Sequence, residues 1–455
     1  MLLIPAMPKS ATAQMDYIVE AMEMPAVNTI VRHWYDEYYI VYCDNGVDSS
    51  HFCCVNLSSM SYLDFCTSYL GVKDFEIAKD MVYFCGKNMV TPIMGYFDIP
   101  LLFYGGGTSL TTVNLGGIHS SVGYPGYTEQ VLDLFELEVQ LCNDGVHVYM
   151  IGSSNNSVQS YTTRCIVDMR NLSGSSTWLC QMAQEQYSVY YYDDITLTDN
   201  YVVVVGNKHG GEGQYNSSYI KPTSAANPLI VVPPLYPTTP CTTPYTCAGD
   251  FDDYTLFRDK PLMVEHLLGD YYATVGHASI DLGPNVDGGT VISIYEAANN
   301  TCIYRRFLPQ GYADTAYWKL LDLRYNETFK RLYLLQRMSN PISNVVESVI
   351  CAFDISSGPW SITATKVFWI PEQGYMSLDQ CSSVGEAIVA GGKDTLHLWR
   401  HEQGGDCVKE EKPTLDPVLE SFYERGYYQW PITWDLSVGY EFGSVEKRKM
   451  NFLCK

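Results

Sequence analysis

Eight polar residues stand out for their placement: Lys87, Asn88, Asn155, His209, His277, Arg337, Lys393 and Asp394 each follow a short apolar run. Amides, imidazoles, cations and a carboxylate in equivalent positions suit a polar ligand held by hydrogen bonds and charge. They do not form a reactive centre. The chain has no G-x-S-x-G elbow, no phosphate-binding G-x-x-x-x-G-K-[ST] loop, no H-E-x-x-H and no G-x-G-x-x-G between a strand and a helix. Asp193-Asp194 and Asp252-Asp253 are adjacent in sequence, so in a strand their carboxylates face opposite ways and make a poor acid/base couple. His51, His119, His209 and His277 lack metal-ligand spacing. Gly283–Gly289 has a glycine where a calcium loop needs its first acid, and Ile294 stands at the closing position. No catalytic motif is recognisable, and no metal or cofactor is expected.

The elements that must position these residues repeat. Ile40–Asp44, Val82–Gly86, Val148–Gly152, Val202–Gly206, Tyr272–Gly276, Leu332–Gln336 and Ala387–Gly391 are all apolar, β-branched or aromatic runs ending at glycine or a polar residue. Asn, Asp or Gly precedes most of them, as at Asp80, Asp199-Asn200 and Gly269-Asp270, where tight hairpins need positive φ. Third strands follow at Arg164–Met169, Ser217–Lys221, Thr290–Glu296, Ser348–Asp354 and Leu396–Glu402. The unit reads strand, tight turn, strand, variable loop, strand. Seven copies at a period of about 58 residues predict a seven-bladed β-propeller of mostly four-stranded antiparallel blades, with six or eight blades as alternatives. One such sheet cannot bury both faces alone, so sheets stack around an axis. Loops after equivalent strands then emerge on one face, which would gather the eight residues into a ring.

Closure falls to the ends. Asp16–Met24 is a candidate strand, and Ile432–Phe442 alternates apolar and polar as a half-buried strand does. Gly105–Gln130 and Pro233–Lys260 break the rhythm as loops, the usual place for binding on a rigid scaffold.

The 455 residues are 46% hydrophobic, enough for a large core. Acids outnumber bases 51 to 28 and the formal charge is −23, which disfavours nucleic acid and anionic membranes. No apolar run reaches the ~18 residues of a membrane-spanning helix. Met1–Met7 is apolar and Ala11-Thr12-Ala13 precedes Gln14, reading as the tail of an export signal over 1–13. Residues 14–455 then form one domain, a monomer, in a periplasmic, cell-surface or extracellular setting. The 15 cysteines cannot all pair within one chain. Cys43, Cys53, Cys85, Cys165 and Cys351 sit in expected strands as buried thiols, whereas Cys241 and Cys247 bracket a Pro/Thr loop that a local disulfide would staple. Of the 37 tyrosines, clusters such as Tyr187–Tyr192 serve packing between blades or stacking on sugars and proline-rich peptides.

From Tyr38 to Glu402 the chain resembles the β-propeller superfamily, and with its export-like start it resembles secreted bacterial seven-bladed propellers. The resemblance is architectural. Trp-Asp strand ends, S-x-D-x-G-x-x-W boxes and kelch Gly-Gly pairs are absent, so it carries over no functional residue. The polar loop ring, with no nucleophile or metal signature, points to a binding or scaffold module whose loop face engages a glycan or protein. The alternative is a glycoside hydrolase or lyase with carboxylates converging at the central channel.

Overall fold

The computed structural model describes the chain from Tyr17 to His401 apart from connecting segments, the longest being 223–256, and beyond it two short strands. After β1 (Tyr17–Glu23) the strands fall into successive antiparallel sheets. The first holds β2 (Val27–Tyr35), β3 (Tyr38–Asp44), β4 (Ser49–Asn56) and β5 (Ser61–Ser68). The second holds β6 (Val72–Ala78), β7 (Met81–Asn88), β8 (Thr91–Asp98) and β9 (Thr111–Asn114). A five-stranded sheet follows, made of β10 (Ile118–Ser120), β11 (Thr128–Cys142), β12 (Gly145–Asn156), β13 (Thr162–Met169) and β14 (Trp178–Gln181). A three-stranded sheet holds β15 (Val189–Leu197), β16 (Tyr201–His209) and β17 (Tyr215–Pro222).

Two more four-stranded sheets come next. One is β18 (Phe257–Leu268), β19 (Tyr271–Asp281), β20 (Val286–Glu296) and β21 (Thr301–Pro309); the other is β22 (Trp318–Asn326), β23 (Arg331–Ser339), β24 (Val346–Ser356) and β25 (Ser361–Ile370). The last sheet has β26 (Ser377–Cys381), β27 (Ala387–Gly391) and β28 (Thr395–His401), and β1 returns to pair with β28 as its outer strand. The pair β29 (Cys407–Val408) and β30 (Leu453–Cys454) stands apart. The innermost strands β2, β6, β11, β15, β18, β22 and β26 touch in succession, and β26 touches β2 in turn; the strands paired to them, β3, β7, β12, β16, β19, β23 and β27, are the second strands. The sheets therefore surround a common axis: an all-β propeller.

All seven apolar runs form second strands. They are continuous rather than alternating because both faces are covered, as in β16, where Val202, Val203, Val204 and Val205 are all buried. Phe52 shows the packing between sheets. Its ring lies 4.8 Å from Phe97 and 5.5 Å from Phe84 of the second sheet, and 5.2 Å from Tyr42 of its own. Gly95 makes room for this cluster, since a Cβ there would sit inside the Phe84 ring. Cys43, Cys53, Cys85 and Cys351 are buried thiols.

Three local expectations change. Positive φ falls on Asp36, Lys79 and Lys330 as well as Gly269, so at one turn Lys79 takes the strained position that the adjacent Asp80 was expected to fill. Gly105–Gln130 is not one loop: β9, β10 and the start of β11 lie in it. A single helical turn, α1 (Ile99–Phe103), follows β8, with Asp98 accepting from the Leu101 amide at 2.7 Å and proline at its start. The Cys241–Cys247 pair and Ile432–Phe442 lie outside the described residues.

Candidate functional site

The first strands share a device at the axis. Each of β6, β11, β15, β18 and β22 has a bulge in its pairing with the second strand, at Val72/Asp74, Leu134/Glu136, Tyr192/Asp194, Pro261/Met263 and Leu320/Asp322. A bulge frees backbone N–H groups that need acceptors. Carboxylates supply them. Asp194 accepts from the following amide of Ile195 at 2.8 Å and from Val264 of the next sheet at 2.8 Å. Asp322 does the same with Leu323 at 2.8 Å and Leu378 at 2.9 Å. Asp379 accepts from Gln380 at 2.7 Å and from His33 at 2.8 Å, which joins the last sheet to the first. Asp74 accepts from Leu137 at 3.0 Å, and Glu265 from Tyr325 at 3.0 Å. These acids lace neighbouring sheets together.

Two arginines sit among them. Arg32, 5% exposed, donates through Nε to Glu76 at 2.9 Å, through Nη2 to Asp74 at 2.6 Å and through Nη1 to the Val31 carbonyl at 2.9 Å. Its Nη1 is also 3.8 Å from Asp322, and its guanidinium lies over the Phe75 ring at 5.7 Å. Arg324 reaches Glu76 at 3.4 Å and Asp322 at 3.6 Å.

Asp74, Glu76, Glu136, Glu138, Asp194, Glu265, Asp322 and Arg324 line a cavity of about 60 Å³. At 10–15 Å³ per water that is room for roughly five waters. Burial pushes Glu265 up to about 8, against the pull of Arg324 and the Tyr325 amide, and Asp194 up to about 7, against its two amide donors. It also drives Glu136 and Glu138 well up, with neighbouring carboxylates adding to the effect. Glu76 is raised by burial although both arginines oppose it.

A stability profile follows from these shifts. In the fold Glu265 and Asp194 keep protons at pH values where the unfolded chain has released them, so stability falls as pH rises toward 8. Buried His397, pushed down to about 4, acts the opposite way between about pH 4 and 6.5. Above that window, of these three groups, the two carboxyls alone contribute. The thermal midpoint at about pH 8.5 is expected to lie below that at about pH 6.5, and scanning calorimetry showing the reverse order would contradict the assignment.

The eight sequence-predicted residues are not brought to one point. Six of them lie in strands rather than loops, because the second strands outrun their apolar cores. Lys87 and Asn88 end β7 opposite Pro92 and Thr91, with Lys87 Nζ 3.9 Å from Asp133. Asn155 pairs with Gln130 and Thr162, and His209 with Val189. His277 pairs with Lys260 and Thr290, and Arg337 with Lys319 and Ser348. Lys393 and Asp394 are exposed in the turn between β27 and β28, where the Asp394 carbonyl accepts from the Met24 amide at 2.9 Å. All lie in the last part of a second strand or just after it, and second strands run in one sense, so they mark one face of the ring. The sequence reading missed Arg32, Asp74, Glu76, Glu136, Glu138, Glu265, Asp322, Arg324 and Asp379. The signal was the i, i+2 polar spacing in Asp74/Glu76, Glu136/Glu138 and Asp322/Arg324, each ahead of an apolar run.

The geometry defines a class, the all-β propeller with an acid-laced axis. No protein-family model and no curated protein sequence matches the chain. Solved structures do. The COPII outer coat vertex on membranes is similar over 87% of this chain and 87% of that chain, with 11% identity and a TM-score of 0.50. Drosophila Plexin A in complex with Semaphorin 1b is similar over 86% of this chain and 90% of that chain, at 9% identity and TM-score 0.47. The Nup133 β-propeller domain of Vanderwaltozyma polyspora is similar over 85% of this chain and 98% of that chain, at 10% identity and TM-score 0.41. At such identities the likeness is one of fold.

Proposed function

We propose that this chain is a seven-bladed propeller acting as a scaffold module that binds a protein on the face where the second strands end. The observation that carries the reading is a set of exposed apolar side chains on turns there. Val47, between β3 and β4, is 67% exposed; Met89 and Val90, between β7 and β8, are 77% and 82% exposed. They stand on neighbouring sheets, with Lys87 and Asn88 beside them and Lys393-Asp394 on the adjoining last sheet. Grouped apolar side chains with a polar rim favour a protein partner over a glycan. A similar fold occurs in an assembled coat, the COPII outer coat vertex. The count of seven is supported by the seven apolar runs, by five four-stranded sheets, and by the five- and three-stranded sheets between them. Export is part of the proposal and rests on the Ala11-Thr12-Ala13 pattern.

The hydrolase reading has the axial carboxylates in its favour, but their commitment to strand amides and the small cavity count against it. To test the scaffold reading, wild type and a Met89→Asp/Val90→Asp double variant are compared as baits under native conditions, with a glycan array alongside. A defined protein partner retained by wild type and weakened about tenfold or more by the double variant, at an unchanged thermal midpoint, is the expected result. Glycan binding without any protein partner, or equal retention by both baits, would defeat the proposal.

A further inference from the structure

We propose that Cys66, with His51 and Asp64, forms an activated thiol that undergoes exchange with low-molecular-weight disulfides. The three side chains share one face of the first sheet, far from the axis. His51 on β4 stands directly opposite Cys66 on β5, and Asp64 lies two residues before Cys66 and so on the same face. The Cys66 Sγ is 3.8 Å from His51 Nε2. His51 Nδ1 lies 3.0 and 3.1 Å from the two oxygens of Asp64. A carboxylate on Nδ1 holds the proton there and leaves the Nε2 lone pair facing the thiol, which is the nucleophile–base–orienter arrangement of thiol chemistry. Ser49 Oγ, 3.4 Å from Nε2, borders the same nitrogen.

Burial separates Cys66 from its neighbours. Cys43 and Cys53 lie on this face but are fully buried, whereas Cys66 is exposed on the outermost strand. Cys53 Sγ, 3.8 Å from Asp64 Oδ1, adds a weak donor to the carboxylate that orients the imidazole. A disulfide reagent therefore reaches the one thiol of the three that has a base beside it. In the step, Nε2 takes the thiol proton and the Cys66 thiolate attacks one sulfur of the disulfide. The mixed disulfide forms as the old S–S bond breaks, and the leaving thiolate takes the proton back from His51. Cys66 is oxidised and half of the reagent is reduced, with no other reactant needed.

Oxidised glutathione is the probe. The full-length reduced protein is exposed to it, quenched by acid and mapped by peptide mass spectrometry. One adduct is expected at Cys66, reversed by dithiothreitol and absent in Cys66→Ser. His51→Gln should slow it about tenfold or more; Asp64→Asn should also slow it, and Asp64→Glu should recover part of the rate. A merely structural role for Asp64 would not give that order. Because His51→Gln could disturb the sheet, the wild-type rate at Cys66 is also compared between native and urea-unfolded protein. Faster modification of the native thiol supports the proposal. Equal rates in wild type and a folded His51→Gln, slower modification of the native thiol, or no adduct at Cys66 would overturn it.

Discussion

Arg32→Met is expected to destabilise the protein by about 3–5 kcal/mol at neutral pH, the usual cost of removing one partner from a buried charge cluster. The size comes from what remains. Asp74, Glu76 and Asp322 all depend on this guanidinium, and Arg324 reaches only the last two. Asp74 also ties the second sheet to β11 through Leu137, so its desolvated charge would weigh on a junction between sheets. Arg32→Lys should recover only part of the loss, since one ammonium cannot reproduce a planar fork bonded to Glu76 and Asp74 together. The deficit should shrink on mild acidification, because Glu76, already raised by burial, then takes a proton. Urea unfolding of wild type and both variants at two pH values measures this. A loss below about 1 kcal/mol would mean that the cluster is balanced without Arg32.

Phe52→Ala should cost a similar amount, about 3–5 kcal/mol, by a different route. Phe52 is fully buried and touches Phe75, Phe84 and Phe97 across the interface between the first two sheets, besides Tyr42. Truncation loses the transfer energy of the ring and leaves a void that strands pinned by their ladders cannot close. Unlike the arginine variant, its deficit should not depend on pH between about 5 and 8, since no charge is exposed or stranded. Phe52→Leu should recover more than half. A pH-dependent deficit would show that the aromatic cluster is coupled to the axial charges through Phe75, whose ring lies under the Arg32 guanidinium.

The contrast also explains what could be read from the chain alone. Second strands were legible because burial on both faces writes them as unbroken apolar runs, Val202–Val205 above all. First strands were less so, because their axial face is acidic and their bulges interrupt the alternation that marks a strand. Asp194 was noticed beside Asp193 and set aside because neighbours face apart. That rule holds, but the groups Asp194 serves are amides of Ile195 and, 70 residues on, Val264. The loop ring was misplaced by a residue or two for a related reason: ladder hydrogen bonds continue past the apolar core, so Lys87 and Asn88 remain in β7. Gly/Ser/Thr composition hid β9 and β10, whereas the Asp98-Ile99-Pro100 start of α1 was a helix signal in plain sight.

The pairing of β1 with β28 has a consequence for biogenesis. Tyr17–Glu23 is made long before its partner Thr395–His401. Bonds such as Val31 N–H to Ser377 Oγ, spanning 346 residues, wait equally long. Until then β2 and the nascent first sheet present an open flank, the kind of edge that chaperones guard. Once the ends meet, no sheet can leave without breaking two junctions at once. The protein should therefore be slow to make and slow to lose.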